Sequence, residues 1–147
     1  MYRLRDGQWR TDFRSTRMSA TISKSTPILF VERIEASLPF FEAVGFVKVM
    51  DVPDGDRLGF CILDCAGVEV MLQSYALLAA DMPALNDAAR GRSFLFMEVP
   101  DLAAVEAALT GHTVYMPRRS TFYGSEETGF IEPGGHYVTF AQFAKES

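Results

Sequence analysis

Few residues in this 147-residue chain could do covalent or metal chemistry: two cysteines, Cys61 and Cys65, and two histidines, His112 and His136. Both cysteines fall in Leu58-Gly59-Phe60-Cys61-Ile62-Leu63-Asp64-Cys65, which reads as a strand. Residues four apart on a strand share a face but lie about 13 Å apart at ~3.3 Å per residue. A disulfide needs Cα atoms within about 7 Å, so these two cannot pair unless the strand folds back. They read as small core or strand-end residues in a reducing compartment. Each histidine follows a glycine, Gly111 or Gly135, and a single histidine at a turn reads as a solvated residue rather than a ligand or base. The pair Arg118-Arg119 could clamp an anion, although two adjacent basic residues read first as surface charge.

Composition limits the partners. The content of 48% hydrophobic and 22% charged residues is that of an ordinary globular chain with one compact domain or two small intertwined modules. Residues 1–25 carry six basic groups against Asp6 and Asp12, so the other 122 residues hold a net charge of −9 within the total of −5. An acidic body disfavours nucleic acid and favours a cationic or neutral small ligand. No apolar run approaches the roughly 18 residues of a membrane span. The Arg- and Ser/Thr-rich residues 1–25 read as a flexible extension, without the apolar segment of a secretory signal.

The elements that must position any site follow from periodicity and turn signals. A first strand is predicted over Pro27 to Glu32 and a helix over Ile34 to Val44, with Leu38, Phe41 and Val44 on one face. Pro39 fits best if that helix starts only a residue or two before it, and Gly45 closes it as a left-handed cap. Strands are then expected at Phe46 to Met50, Leu58 to Asp64 and Val68 to Gln73, with turns at Pro53-Asp54-Gly55-Asp56 and Ala66-Gly67. Residues 75–92 form an Ala-rich connector with a short helical piece. A second strand-helix pattern opens at Phe94 to Val99, with Asp101 capping a helix that Gly111 ends. Strands follow at Thr113 to Met116, near Gly129 to Glu132, and at Tyr137 to Phe143, the last two joined by the hairpin Pro133-Gly134-Gly135-His136. The pattern is thus βαβββ written twice, over residues 26–75 and 93–143, within one α+β domain spanning 26–147.

Three stretches resemble the vicinal oxygen chelate superfamily, which includes glyoxalase I, methylmalonyl-CoA epimerase, extradiol dioxygenases, and the fosfomycin and bleomycin resistance proteins. Ser37-Leu38-Pro39-Phe40-Phe41-Glu42-Ala43-Val44-Gly45-Phe46 is similar to the family's first helix in the short form of its bleomycin-resistance-like branch. Tyr123-Gly124-Ser125-Glu126-Glu127 is similar to the Tyr-Gly segment before the penultimate strand, and Glu132-Pro133-Gly134-Gly135-His136-Tyr137-Val138-Thr139-Phe140 to the Asp-Pro-x-Gly-His hairpin. The resemblance covers about Thr26 to Phe143. It implies that the two modules form a curved mixed β-sheet, the glyoxalase/bleomycin resistance fold.

It also implies where metal ligands would stand: Thr26, Glu69, Phe94 and Thr139, with Gln73 in place of Glu69 if strand four is slipped by an even step. Phenylalanine cannot coordinate and threonine hydroxyls are poor ligands, so no metal and no cofactor is expected. Alternation from those positions places Ile28, Phe30, Met71, Gln73, Phe96, Glu98, Tyr137 and Ala141 on the same cupped face. The candidate ligand-binding residues are therefore Phe30, Glu69, Met71, Gln73, Phe94, Phe96, Glu98, Tyr137 and Thr139, with Tyr123 at the pocket lip. Such a face, with Glu69 and Glu98 as isolated acids, suits a flat, apolar, aromatic or cationic molecule. His136 is expected to be structural in its hairpin.

The function implied is that of a cytoplasmic, metal-independent, homodimeric binding protein that protects by sequestering a small molecule such as an antibiotic. The rival is an enzyme, either a lyase, isomerase or dioxygenase with an unusual metal site using Glu69, Gln73 and His136, or a metal-free catalyst using Glu69 or Glu98 as base. A third reading makes the aromatics plain core and the protein a structural subunit.

Overall fold

Each half of the chain folds in the expected order of strand, helix and three strands. The computed structural model describes residues 20–144, together with the backbone of a short antiparallel pair, Tyr2–Arg3 with Trp9–Arg10. Most of the predicted extension over residues 1–25 lies outside the described residues.

The first module comprises β1 (Ile28–Val31), α1 (Ile34–Ala43), β2 (Val47–Asp54), β3 (Arg57–Cys65) and β4 (Val68–Ser74). Its sheet has the order β1-β4-β3-β2, with β1 parallel to β4 and the other pairs antiparallel. A connector follows, α2 (Tyr75–Asp81) and a 3₁₀ turn at Pro83–Leu85. The second module repeats the plan with β5 (Phe94–Glu98), α3 (Leu102–Ala108), β6 (Thr113–Ser120), β7 (Ser125–Ile131) and β8 (Tyr137–Phe143), in the order β5-β8-β7-β6. Again the first strand is parallel to the last. The α+β class and the doubled βαβββ pattern are what the sequence predicted, hydrogen-bonded within the chain as two four-stranded sheets.

Local chemistry explains the ends of these elements. Gly45, at φ +103°, lets the chain leave α1 with Gly45 N–H on Glu42 O and Phe46 N–H on Phe41 O. The Asp101 carboxylate caps α3 by accepting from Ala104 N–H at 3.1 Å. Two proline expectations need correction. Pro39 is the sixth residue of α1 rather than a first-turn residue, so the bond to Glu35 O is lost. The helix persists because Ile34, Phe40 and Phe41 beside it are fully buried, and each such side chain is worth about 1.5–3 kcal/mol. Pro53 and Asp54 continue β2 instead of forming the turn, because β2 is an edge strand and its outer N–H groups have no ladder partner to lose.

Both sheets turn one face to a single core. Leu29, Val31, Cys61, Leu63, Val70 and Leu72 come from the first sheet, Phe130, Val138 and Phe140 from the second, and Leu102 and Leu109 from α3 and its end. Phe40 of α1 ties them together, its ring edge-on to Phe41 at 5.3 Å and against Phe130 at 6.5 Å and Phe140 at 6.2 Å. The other face of each sheet points outward.

Candidate functional site

The outward positions follow from register. On the first sheet Ile28, Met71 and Ile62 stand in one row, and Phe30, Gln73 and Phe60 in the next, all on the face opposite the buried Leu29 and Leu72. Glu69, opposite Asp64, continues this face. Glu69 is not the isolated acid the sequence suggested, since Lys24 pairs with it at 2.5 Å. The segment before β1 brings the cation to the sheet, a contact across 45 residues that no local pattern signals.

On the second sheet the rows are Phe94, Tyr137 and Ile131; Phe96, Thr139 and Gly129; then Glu98, Ala141 and Glu127. Phe94 stacks on Tyr137 with ring centroids 4.7 Å apart and planes at 10°, and Tyr115 meets Tyr137 edge-on at 4.9 Å. Phe94 is nevertheless 70% exposed, so its second ring face is open. Tyr115 lies over Gly129, where an added Cβ would stand 2.5 Å from its ring, and its hydroxyl bonds to Thr139 Oγ1. Further along, Phe96 packs edge-on to Phe143 at 6.4 Å, and Tyr123 tilts against Phe143 at 6.2 Å. Arg92 lies 5.9 Å from the Tyr137 ring centre, placing a cation at the start of β5, while Glu98 stands at its end.

All ten predicted binding residues therefore have side chains on or beside an outward face, in two groups: Phe30, Glu69, Met71 and Gln73 on the first sheet, and Phe94, Phe96, Glu98, Tyr123, Tyr137 and Thr139 on the second. Among the described residues no hydrogen bond, ion pair or ring contact joins the two groups. Sequence reasoning missed Tyr115 and Glu127. Glu127 is 1% exposed, with Oε1 accepting from Arg119 at 3.2 Å and Oε2 from Ser125 Oγ at 2.9 Å and Tyr123 Oη at 2.5 Å. Burial alone would raise its pKa, but the hydrogen bonds from Tyr123, Ser125 and Arg119 outweigh burial and hold it below the ordinary glutamate value. Arg119 is thus one partner of a buried carboxylate rather than free surface charge, and Arg118 lies 3.7 Å from Glu106. The signal for Glu127 was present in the alternation from Gly129, but the predicted strand began too late to use it.

The histidine expectation is half corrected. His136 is structural, as expected of its hairpin, but it is buried at 2% exposure, not solvated at a turn. Ser93 N–H donates to its Nδ1 at 2.9 Å, so the ring proton sits on Nε2 and is donated to Phe30 O at 2.8 Å. One ring joins β1 to the start of β5. Glu132, also buried, accepts from His136 N–H and Gly134 N–H through its two oxygens. Gly134 is required because a Cβ there would stand 2.4 Å from Val31 Cγ1. The hairpin is a latch between modules.

The residues at the positions where the sequence resemblance would put metal ligands are poorly suited to hold an ion. Phe94 is a stacked ring, the Thr139 hydroxyl is bonded to Tyr115, and Glu69 is paired with Lys24. The alternative set of Glu69, Gln73 and His136 fails because both ring nitrogens of His136 are committed to backbone groups. No group of three His, Cys, Asp or Glu side chains among the described residues is placed to hold an ion. Cys61 and Cys65 are both free. Cys61 is fully buried and its thiol is pushed up to about 11 by that burial.

Among the described residues no helix is long and apolar enough to cross a membrane. No family model matches the sequence, and no curated protein sequence matches it significantly. Solved structures do match. A glyoxalase/bleomycin resistance protein/dioxygenase from Nocardioides superposes with a TM-score of 0.65 at 19% identity, covering 92% of this chain and 92% of that one. A bleomycin-binding protein complexed with bleomycin gives 0.56 at 17% identity, covering 84% of this chain and all of the other. A lactoylglutathione lyase from Agrobacterium tumefaciens gives 0.65 at 15% identity, over 84% and 96%. The doubled βαβββ topology and these superpositions agree that the chain carries the glyoxalase/bleomycin resistance protein/dioxygenase fold.

Proposed function

We propose that the protein is a metal-independent binder of a small aromatic molecule, acting by sequestration, with the outward face of the second sheet as its principal contact surface. The observation that carries this reading is the Phe94–Tyr137 stack, ordered at 4.7 Å and 10° yet exposing the outer Phe94 ring. A flat ligand laid on Phe94 extends an existing stack, gaining apolar burial at about 25 cal/mol per Å² and roughly 0.5–1.5 kcal/mol from ring geometry. Tyr115, Phe96, Phe143 and Tyr123 continue the surface, and Phe30, Met71 and Gln73 offer a second, more aliphatic face. The bleomycin-bound relative in fold is a precedent for an antibiotic as the ligand.

The protein acts in the cytoplasm as a homodimer in this reading. Support for the dimer comes from the exposed large apolar side chains Val47, Val49, Met50 and Phe122, which lie off the proposed contact surface and which a lone protomer leaves in water. One observation favours a catalytic rival: Glu98 is an exposed carboxylate with no ion-pair partner among the described residues, free to serve as a base. Calorimetric titration of a panel of flat aromatic compounds, with recovery of each compound afterwards, tests both. Sequestration requires a saturable complex from which the compound returns unchanged. Chemical conversion that Glu98→Gln abolishes would establish the rival, and no binding by any aromatic compound would sink both.

A further inference from the structure

A cavity lies where the modules meet, apart from the Phe94–Tyr137 stack. It holds about 420 Å³ and is lined by Val44 and Phe46 from the end of α1, by Cys65 and Val68 around the β3–β4 turn, by the four consecutive residues Phe96 to Val99, and by Phe140. Side chains of consecutive strand residues alternate between faces, so a cavity touching all four runs along an edge of β5. The edge is the unpaired one, since among the described residues β5 bonds only to β8. Val99 N–H donates to Ala141 O and Tyr137 N–H to Ser93 O. The odd-numbered residues of β5 are therefore turned to β8, and the peptide groups of Phe96 and Glu98 to the free edge.

The lining is apolar with one charge. Val44, Phe46, Val68, Met97, Val99 and Phe140 supply the walls, and among the described residues the one charged lining residue is Glu98. A carboxylate without an ion-pair partner among the described residues, beside free strand-edge carbonyls, favours a donor-rich cation and repels an anion. We infer that this junction cavity binds a compact apolar ammonium compound, its hydrocarbon body between α1 and Phe140 and its ammonium on Glu98. The inference goes beyond the aromatic-face reading and stands without it.

The thiol of Cys65 provides the readout, because the chain has only two cysteines and Cys61 is fully buried. The rate of Cys65 modification by a disulfide reagent is measured with 2-phenylethylammonium and with its neutral counterpart 2-phenylethanol. The amine is expected to slow labelling about tenfold at ten times its dissociation constant. The alcohol binds more weakly, and Glu98→Gln brings the amine about two- to fivefold down towards it, the range of a partly exposed charge pair. Val68→Trp, at a position 55% exposed and tolerant of size, fills the cavity and removes protection by the amine. An unchanged labelling rate at millimolar amine overturns the site. Equal protection by amine and alcohol overturns the ligand class.

Discussion

The two outward sheet faces share one topology and differ in chemistry. The first presents Ile28, Met71 and Ile62 in one row and Phe30, Gln73 and Phe60 in another, with its acid Glu69 neutralised by Lys24. The second presents a stacked aromatic pair, a tyrosine over a glycine, and a buried carboxylate held by three donors. Duplication supplied two equivalent scaffolds, and side-chain replacement made only one of them an ordered aromatic surface. A binding face thus needs more than a cupped sheet. Rings must be fixed by their own contacts before a ligand arrives, so that less entropy is lost on binding.

The two faces keep their places only if both sheets are held as one body, and the substitution that tests this most severely is His136→Ala. It leaves Ser93 N–H and Phe30 O without partners inside a buried latch and opens a cavity. A loss of about 2–4 kcal/mol is expected, read as a lower denaturant midpoint. A loss below 0.5 kcal/mol would mean that the shared core around Phe40 holds the modules without the latch.

Glu127→Ala is the next largest. Arg119, Tyr123 and Ser125 lose a common acceptor, costing about 1–3 kcal/mol. The corresponding change on the first sheet, Glu69→Ala, is expected to cost under about 1 kcal/mol because its partner Lys24 is largely exposed. Equal costs would erase the distinction between the faces. The pH dependence has a definite sign. Glu127 is held below the ordinary glutamate value when folded, so as pH falls below about 4.3 the unfolded chain takes up a proton first. Its stabilisation is complete above that value and is lost as pH falls through the folded pKa. Acid titration of the melting temperature should therefore show a smaller drop in Glu127→Ala than in the parent protein.

The doubled pattern, the α1 cap at Gly45 and the α3 cap at Asp101 were legible in the sequence because each depends on neighbours within four residues. So was the outward face, because alternation is a local rule. What could not be read depends on distant partners. His136 meets Phe30 across 106 residues and Lys24 meets Glu69 across 45. Neither contact leaves a trace in periodicity. Pro53 and Pro39 misled for a related reason: whether a proline ends an element depends on edge position and on the burial of its neighbours, both tertiary properties.

The smallest effect concerns the surface itself. Phe94→Leu keeps apolar area on β5 but removes the ring that Tyr137 stacks, and Phe94 is 70% exposed, so folding should change by no more than about 0.5 kcal/mol. Affinity for a flat aromatic ligand should nevertheless fall about two- to tenfold, the worth of one ring pair beyond its area. Phe30→Leu on the first sheet is the matched control and should leave that affinity within about twofold, because among the described residues no ring packs against Phe30 to order it for stacking. Titration calorimetry on the pair decides between two accounts of the faces. If both substitutions weaken binding equally, the ligand bridges the two sheets and the faces work together. If only Phe94→Leu does so, the second sheet alone carries recognition, as the ordered stack implies.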